Sequence, residues 1–277
     1  MDRLQLDKNA KLTGRVYFKD EVMWLGLSGS GASFTFDGTK LVLKLKGDNI
    51  AVGDNPIDYA RIAVYVDGTR VVDEMINCAE KEVTVIDRTE NAQSVVEIIK
   101  LSESPMSAVG IEAFAEGSAE ALPEKPLKIE FIGDSITCGY GVDDEDENHQ
   151  FTTATEDVTK AYAYKTAKAL DAEYSMFSAS GYGIVSGYTE GDEPISEQTI
   201  PQFYCSYGFS RGNFAGTAPQ DIPWDFSKYI PQIIVINLGT NDDSYCRDHK
   251  DRQAVFSKLY ADFLAVVREK NPQAYIL

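Results

Sequence analysis

An all-β sandwich followed by an α/β domain on a parallel sheet is the architecture this sequence predicts. Three observations lead there. The first 118 residues hold short β-rich runs separated by turn residues. Residues 120–126 contain Pro123 and Pro126 and almost nothing apolar, which reads as a linker. After it the texture changes to alternating strand and helix, the mark of a parallel sheet. The 277 residues suit two cores, since one core serves roughly 100–200 residues. The expected units are therefore residues 1–119, a linker at 120–126 and a second domain at 127–277.

In the first unit the candidate strands are 14–18, 33–36, 41–45, 62–66, 83–86, 95–99 and 111–114. Segments 34–36 and 42–46 alternate apolar and polar residues, as half-buried strands do. Asp37-Gly38 and Asp67-Gly68 are dipeptides that favour hairpin turns. Several short strands so spaced argue for a sandwich.

In the second unit, 128–132 is short, apolar and β-branched, a buried strand that runs into Gly133-Asp134-Ser135. The alanine-rich segment 160–170 favours helix. Segment 172–180 reads as the next strand. Residues 182–229 carry few helix or strand signals but many aromatics, among them Tyr182, Tyr188, Phe203, Tyr207 and Trp224. A loop of that length inside a compact domain is often functional. Segment 233–238 is a third strand and ends in Gly239-Thr240-Asn241-Asp242. A helix follows at 251–270, with Val255, Leu259, Phe263 and Val266 on one face and Pro272 past its end. Residues 274–277 begin another strand.

The formal net charge of −18 argues against a nucleic-acid partner, whose phosphates would repel it, and against anionic membrane surfaces. No leader-like apolar segment opens the sequence, and no run approaches the roughly 20 apolar residues of a membrane span. The expected location is the cytoplasm, or the outside of the cell with a signal peptide absent from this sequence. Cys78, Cys138, Cys205 and Cys246 form no Cys-x-x-Cys pair, so zinc and redox motifs lack support and reduced thiols are expected. The acidic loop 143–149 lacks the glycine and spacing of an EF-hand and reads as solvated rather than calcium-binding. No cofactor or metal is expected.

The chemistry gathers where strands end. A serine at the mouth of a buried strand sits where α/β sheets place reactive groups. Ester cleavage by serine needs a nucleophilic alcohol, a base, and donors for the tetrahedral oxyanion. Taken alone, Ser135 reads equally as a helix N-cap and Asn241 as an Asx-turn. Together, Gly133-Asp134-Ser135, Gly181 in Ala179-Ser180-Gly181 and Gly239-Thr240-Asn241 resemble three ordered blocks of the SGNH hydrolases, a superfamily of serine esterases and lipases. With the β-rich first half and the stretch from Trp224 to Tyr229, the likeness narrows to carbohydrate esterase family 2, of acetyl xylan esterase type.

That resemblance implies a jelly-roll sandwich joined to a three-layer SGNH domain. It implies Ser135 as nucleophile and the Ser135 N–H, Gly181 N–H and Asn241 side-chain amide as oxyanion donors, with Gly183 as the alternative glycine. Asp134 organises the loop. The expected activity is acyl-enzyme removal of O-acetyl groups from carbohydrate, xylan pieces first. The expected partner is an acetylated oligosaccharide or polysaccharide, with Trp224 and Tyr182 as sugar-contacting aromatics. An oligomer is compatible with the sequence but not indicated. The family's Asp-x-x-His block is not in these 277 residues. The expectation is that a helix, a strand and a histidine loop follow Leu277, His249 being the secondary candidate for the base. Two other functions stand beside this one: an inactive carbohydrate-binding protein with a degenerate SGNH domain, and a general short-chain acyl esterase.

Overall fold

The computed structural model describes residues 1–55 and 57–277. The first half contains β1 (Asp2–Leu4), α1 (Leu6–Asn9), β2 (Lys11–Thr13), β3 (Val16–Lys19), β4 (Val22–Leu25), β5 (Gly31–Gly47), β6 (Ala60–Val66), β7 (Thr69–Ile76), β8 (Glu80–Lys100) and β9 (Val109–Ala121). Among the described residues these strands form one nine-stranded antiparallel sheet in the order β3-β4-β9-β5-β8-β6-β7, with β1 added on β9 and β2 on β5.

Where two strands were expected at 33–36 and 41–45, β5 is continuous, and Asp37-Gly38 is not a hairpin turn. The register of β5 shifts between Gly38 and Lys40 against both β8 and β9. Before the shift the even residues Ala32, Phe34 and Phe36 enter the core; after it the odd residues Leu41, Leu43 and Leu45 do. A bulge therefore reverses the phase and lets one strand keep an apolar face on the core while the sheet bends. Glycine is required there: Gly38 faces Gly117, and a Cβ on Gly38 would lie 2.3 Å from the Glu116 carbonyl oxygen. Similarly, 83–86 and 95–99 belong to the single strand β8. Asp67-Gly68 does turn a hairpin, between β6 and β7, with both φ angles positive at 49° and 79°. Strands β1, β2, β4 and β7 carried too short or too mixed a pattern to be read beforehand.

The second half contains β10 (Lys128–Gly133), α2 (Ser135–Cys138), α3 (Tyr162–Ala169), β11 (Glu173–Ser178), β12 (Ile233–Asn237), α4 (Thr240–Cys246), α5 (Lys250–Lys270) and β13 (Tyr275–Ile276). The four strands are parallel in the order β11-β10-β12-β13. Side chains alternate across the sheet. Ile129 and Phe131 of β10 pack with Ala163 and Ala167 of α3, while Ile132 packs on the face that holds Phe263 and Val267 of α5. The inner face of α5 is Phe256, Tyr260, Phe263 and Val267 with Val266 beside it, so Phe263 and Val266 face the core as expected while the first half of the face is shifted by one residue. Val255 and Leu259 are exposed, because the larger aromatics at 256 and 260 take the inner positions. Among the described residues no helix is long and apolar enough to cross a membrane. The four cysteines are free thiols.

The antiparallel sheet packs on the parallel one through buried polar groups. Arg15, fully buried, pairs with Glu130 of β10 at 3.2 Å and donates to the carbonyls of Tyr204 and Ser206. Tyr207 Oη donates to the Trp24 carbonyl at 2.7 Å. Arg61 and Arg70, from β6 and β7, hold Asp143 and Asp157 of the loop that follows α2.

Candidate active site

The parallel register sets one row across three strands: Gly133 of β10 lies beside Ser178 of β11 and Asn237 of β12. Ser135 leaves the first strand two residues on, Gly181 the second three residues on, and Asn241 the third four residues on. All three emerge from the carboxyl edge of the sheet, with the serine strand in the middle.

Ser135 is the first residue of α2 and is partly exposed. It is not the cap. Asp134 is, its carboxylate accepting the Ile136 N–H at 3.1 Å. Burial raises the Asp134 carboxyl above the usual carboxylate range, with the Asp242 charge acting in the same direction. Gly133 has to be glycine, since a Cβ would lie 2.0 Å from Thr137 Oγ1. Gly181 has φ +79°, and a Cβ on it would meet nothing within 4 Å, so its side faces open space. Among the described residues neither the Ser135 N–H nor the Gly181 N–H donates to another protein group. Asn241 is buried, and one of its two amide hydrogens goes to the Tyr182 carbonyl at 2.9 Å, which leaves the other.

Sequence reading missed Asp242. Its buried carboxylate accepts the N–H groups of Ile184, Val185 and Ser186 at 2.6–3.2 Å. It ties the loop after Gly181 to the start of α4. Gly183 serves this clamp and is not an oxyanion donor: its N–H donates to the Gln198 carbonyl at 3.2 Å, and a Cβ would lie 2.5 Å from Asp242 Oδ2. The carboxylate next to Asn241, facing three consecutive amides, was visible only as part of a tetrapeptide.

The other expected residues have these surroundings. The Arg15 guanidinium lies over the Trp224 ring at 5.2 Å, beside the buried ion pair with Glu130. Tyr182 contributes its carbonyl, while its ring packs on Phe203 and Phe209. Tyr188 is exposed, and its N–H donates to the Gly181 carbonyl at 2.8 Å. His249 is exposed at the N-terminus of α5, and no hydrogen bond joins it to Ser135 among the described residues. His149 bonds Asp144 at 2.8 Å within the acidic loop. Oxygens of that loop are spent on its own amides, as Asp146 on Asn148.

One grouping has metal-ligand chemistry: Glu103, Cys138 and Glu156, with ligand atoms within 4.8 Å of one another and all three fully buried. Burial, with both carboxylates beside it, pushes the Cys138 thiol well above its usual range, so it is held protonated. Lys100, also fully buried, adds a positive charge next to it. The four side chains form a buried cluster of ionisable groups.

An α/β sheet with a serine at the mouth of its middle strand, flanked by a bare glycine and an asparagine amide, defines the hydrolases that carry a Gly-Asp-Ser motif. Residues 131–277 match the GDSL-like lipase/acylhydrolase family and residues 12–126 the carbohydrate esterase 2 N-terminal family. The chain belongs to the GDSL-like lipase/acylhydrolase family, in the arrangement of the family 2 carbohydrate esterases. It is similar to the cellulase/esterase CelE of Acetivibrio thermocellus, 32% identical over 252 residues that make up 90% of this chain and 28% of that protein. It is 28% identical to an acetylxylan esterase/glucomannan deacetylase of Cellvibrio japonicus, over 98% of this chain and 71% of that one. A solved family two carbohydrate esterase from Clostridium thermocellum, in complex with cellohexaose, superposes with a TM-score of 0.78 at 28% identity, covering 96% of this chain and 76% of that one.

Proposed function

We propose that this protein is a serine esterase that removes O-acetyl groups from carbohydrate. The observation that carries the reading is the set of free donors at the carboxyl edge: the Ser135 N–H, the Gly181 N–H and the second hydrogen of the Asn241 amide, around a glycine that leaves room for a substrate. In the first step Ser135 Oγ bonds to the acetyl carbonyl carbon and its proton passes to a general base. The three donors receive the oxyanion. The carbon–oxygen bond to the sugar then breaks and the sugar leaves as the alcohol with that proton. Water hydrolyses the acetyl-serine to acetate. Among the described residues no histidine is hydrogen-bonded to Ser135.

Acetylated xylooligosaccharide is the proposed substrate, supported by the names of the similar proteins and by a surface that offers aromatic faces. Tyr188 is the proposed stacking residue, in place of Trp224. The test is acetate release from acetylated xylooligosaccharides by the wild-type protein and by Ser135→Ala, with thermal melting to confirm the fold. Loss of release in a folded variant upholds the reading; equal release sinks it. Faster cleavage of p-nitrophenyl esters of longer acids than of acetyl sugars points to the general esterase. Oligosaccharide binding with no release in either protein points to the binding module.

A further inference from the structure

Glu103 belongs to the connection between β8 and β9, yet it is fully buried beneath the catalytic edge of the other sheet. Its Oε2 accepts the N–H of Ser180 at 2.5 Å, and Ser180 immediately precedes Gly181. The same oxygen lies 3.8 Å from Sγ of Cys138, the last residue of the helix that starts at Ser135. Cys138 Sγ in turn lies 3.3 Å from Oγ of Ser178, at the end of β11. One carboxylate therefore touches both loops on which the proposed chemistry depends. Its own backbone is pinned as well. The Glu103 N–H donates to Glu156 Oε2 at 3.0 Å, and its carbonyl accepts from Lys100 Nζ at 3.0 Å.

A buried carboxylate is costly unless it is paired, and nothing in the fold of the antiparallel sheet calls for one here. Its Oε1 has no partner among the described residues, so the oxygen spent on the Ser180 amide is the main use the structure makes of it. Burial raises the carboxyls of Glu103 and Glu156, and lowers the ammonium of Lys100. The Lys100 ammonium opposes that rise in both carboxyls.

We propose that Glu103 is a positioning residue for the reaction: its carboxylate clamps the Ser180 amide and so fixes the turn that presents the Gly181 N–H to the oxyanion. This rests on the esterase reading. It means that the first unit, through a single side chain, helps to shape the site of the second.

The experiment compares wild type, Ser135→Ala, Glu103→Gln and Glu103→Ala in full-length protein, by acetate release and by the amide proton resonance of Ser180. Glu103→Gln keeps the shape and an acceptor without the charge. Misalignment of one oxyanion donor costs up to the about 10²-fold of losing it, so kcat is expected to fall roughly tenfold in Glu103→Gln and about a hundredfold in Glu103→Ala. KM should stay within about threefold, because ground-state binding is untouched. The Ser180 amide should move upfield in Glu103→Gln as the charge-assisted bond weakens. A folded Glu103→Gln with wild-type kcat and an unmoved Ser180 amide overturns the proposal. Wild-type protein that releases no acetate sinks the esterase reading instead. The amide then still decides the clamp: a moved resonance upholds it and an unmoved one overturns it.

Discussion

At the scale of the residue, two glycines two positions apart differ in the room around them. Gly181 points into open space, so Gly181→Ala should cost only the roughly 1–2 kcal/mol of holding alanine in the left-handed region. Its methyl would enter the room left for the acyl group, and acetate release should fall far more than stability does. Gly183→Ala has no room, with the Ser186 carbonyl oxygen at 2.2 Å and Asp242 at 2.5 Å, and should cost about 3 kcal/mol by overpacking. Parallel melting curves and rates check the contrast; similar melting losses in both would remove it. Glu156 supplies a pH test. Its folded-state pKa lies above its unfolded value, so the fold holds this proton more tightly. The stability that goes with it is present in acid and is lost as pH rises upward from the ordinary glutamate range. Glu156→Gln does not titrate, so its melting temperature should gain on wild type as pH rises above the ordinary glutamate range. A difference that stays flat would show Glu156 ionised in the fold. Ser135, Gly181 and Asn241 were legible in sequence because each sits in a short motif after an apolar strand. Asp242 and Glu103 were not. Their partners are 56–58 and 77 residues away, a separation that no local pattern records.

Elements show a second limit of local reading. Periodicity finds a strand or a helix and is weaker on where it ends and which face it buries. Helix α5 begins and ends nearly where spacing places it, and Phe263 and Val266 do face the core, but in its first half Phe256 and Tyr260 turn inward in place of Val255 and Leu259, since two adjacent apolar stripes compete there. Phe263→Ala should accordingly cost about 3–5 kcal/mol, whereas Val255→Ser, on the exposed side, should stay within about 0.5 kcal/mol. Denaturant midpoints for the pair decide it; a costly Val255→Ser would restore the face expected from spacing. Strand β5 shows the same effect in another form. Asp37-Gly38 is a turn signal by composition, but here Gly38 meets Gly117 and makes a bulge, and the turn preference is overridden by pairing on both sides. The alternation was right in each half and broken between them. That break is itself the signature of a bulge: a core phase that is even before the glycine and odd after it.

For the whole molecule the question is whether the two sheets fold as one. The contact between them is not a smooth apolar face that could come apart at little cost. Arg15 is fully buried, its guanidinium 4.4–5.4 Å from the rings of Phe177, Tyr204, Trp224 and Phe226 and ion-paired to Glu130. Burial lowers its pKa, and the pairing with Glu130 opposes that. Separating the sheets would leave the Tyr204 and Ser206 carbonyls without their Arg15 donor and Glu130 without its cation, held only by Tyr204 Oη, and would also free Glu103 from the Ser180 amide. Breaking one buried pair typically costs about 3–5 kcal/mol, a large part of the total stability of a domain. The expected result is a single cooperative unfolding transition, lowered as a whole by Arg15→Ala. The sequence has two tryptophans, and each unit carries one: Trp24 in β4 and Trp224 in the long loop. Fluorescence melts of Trp224→Phe and Trp24→Phe then follow the two units separately. Coincident midpoints, shifted together by Arg15→Ala, are predicted. Midpoints that separate, or a stable and fully active fragment beginning near Lys125, would mean that the second unit stands alone and that the buried arginine merely fastens a neighbour to it.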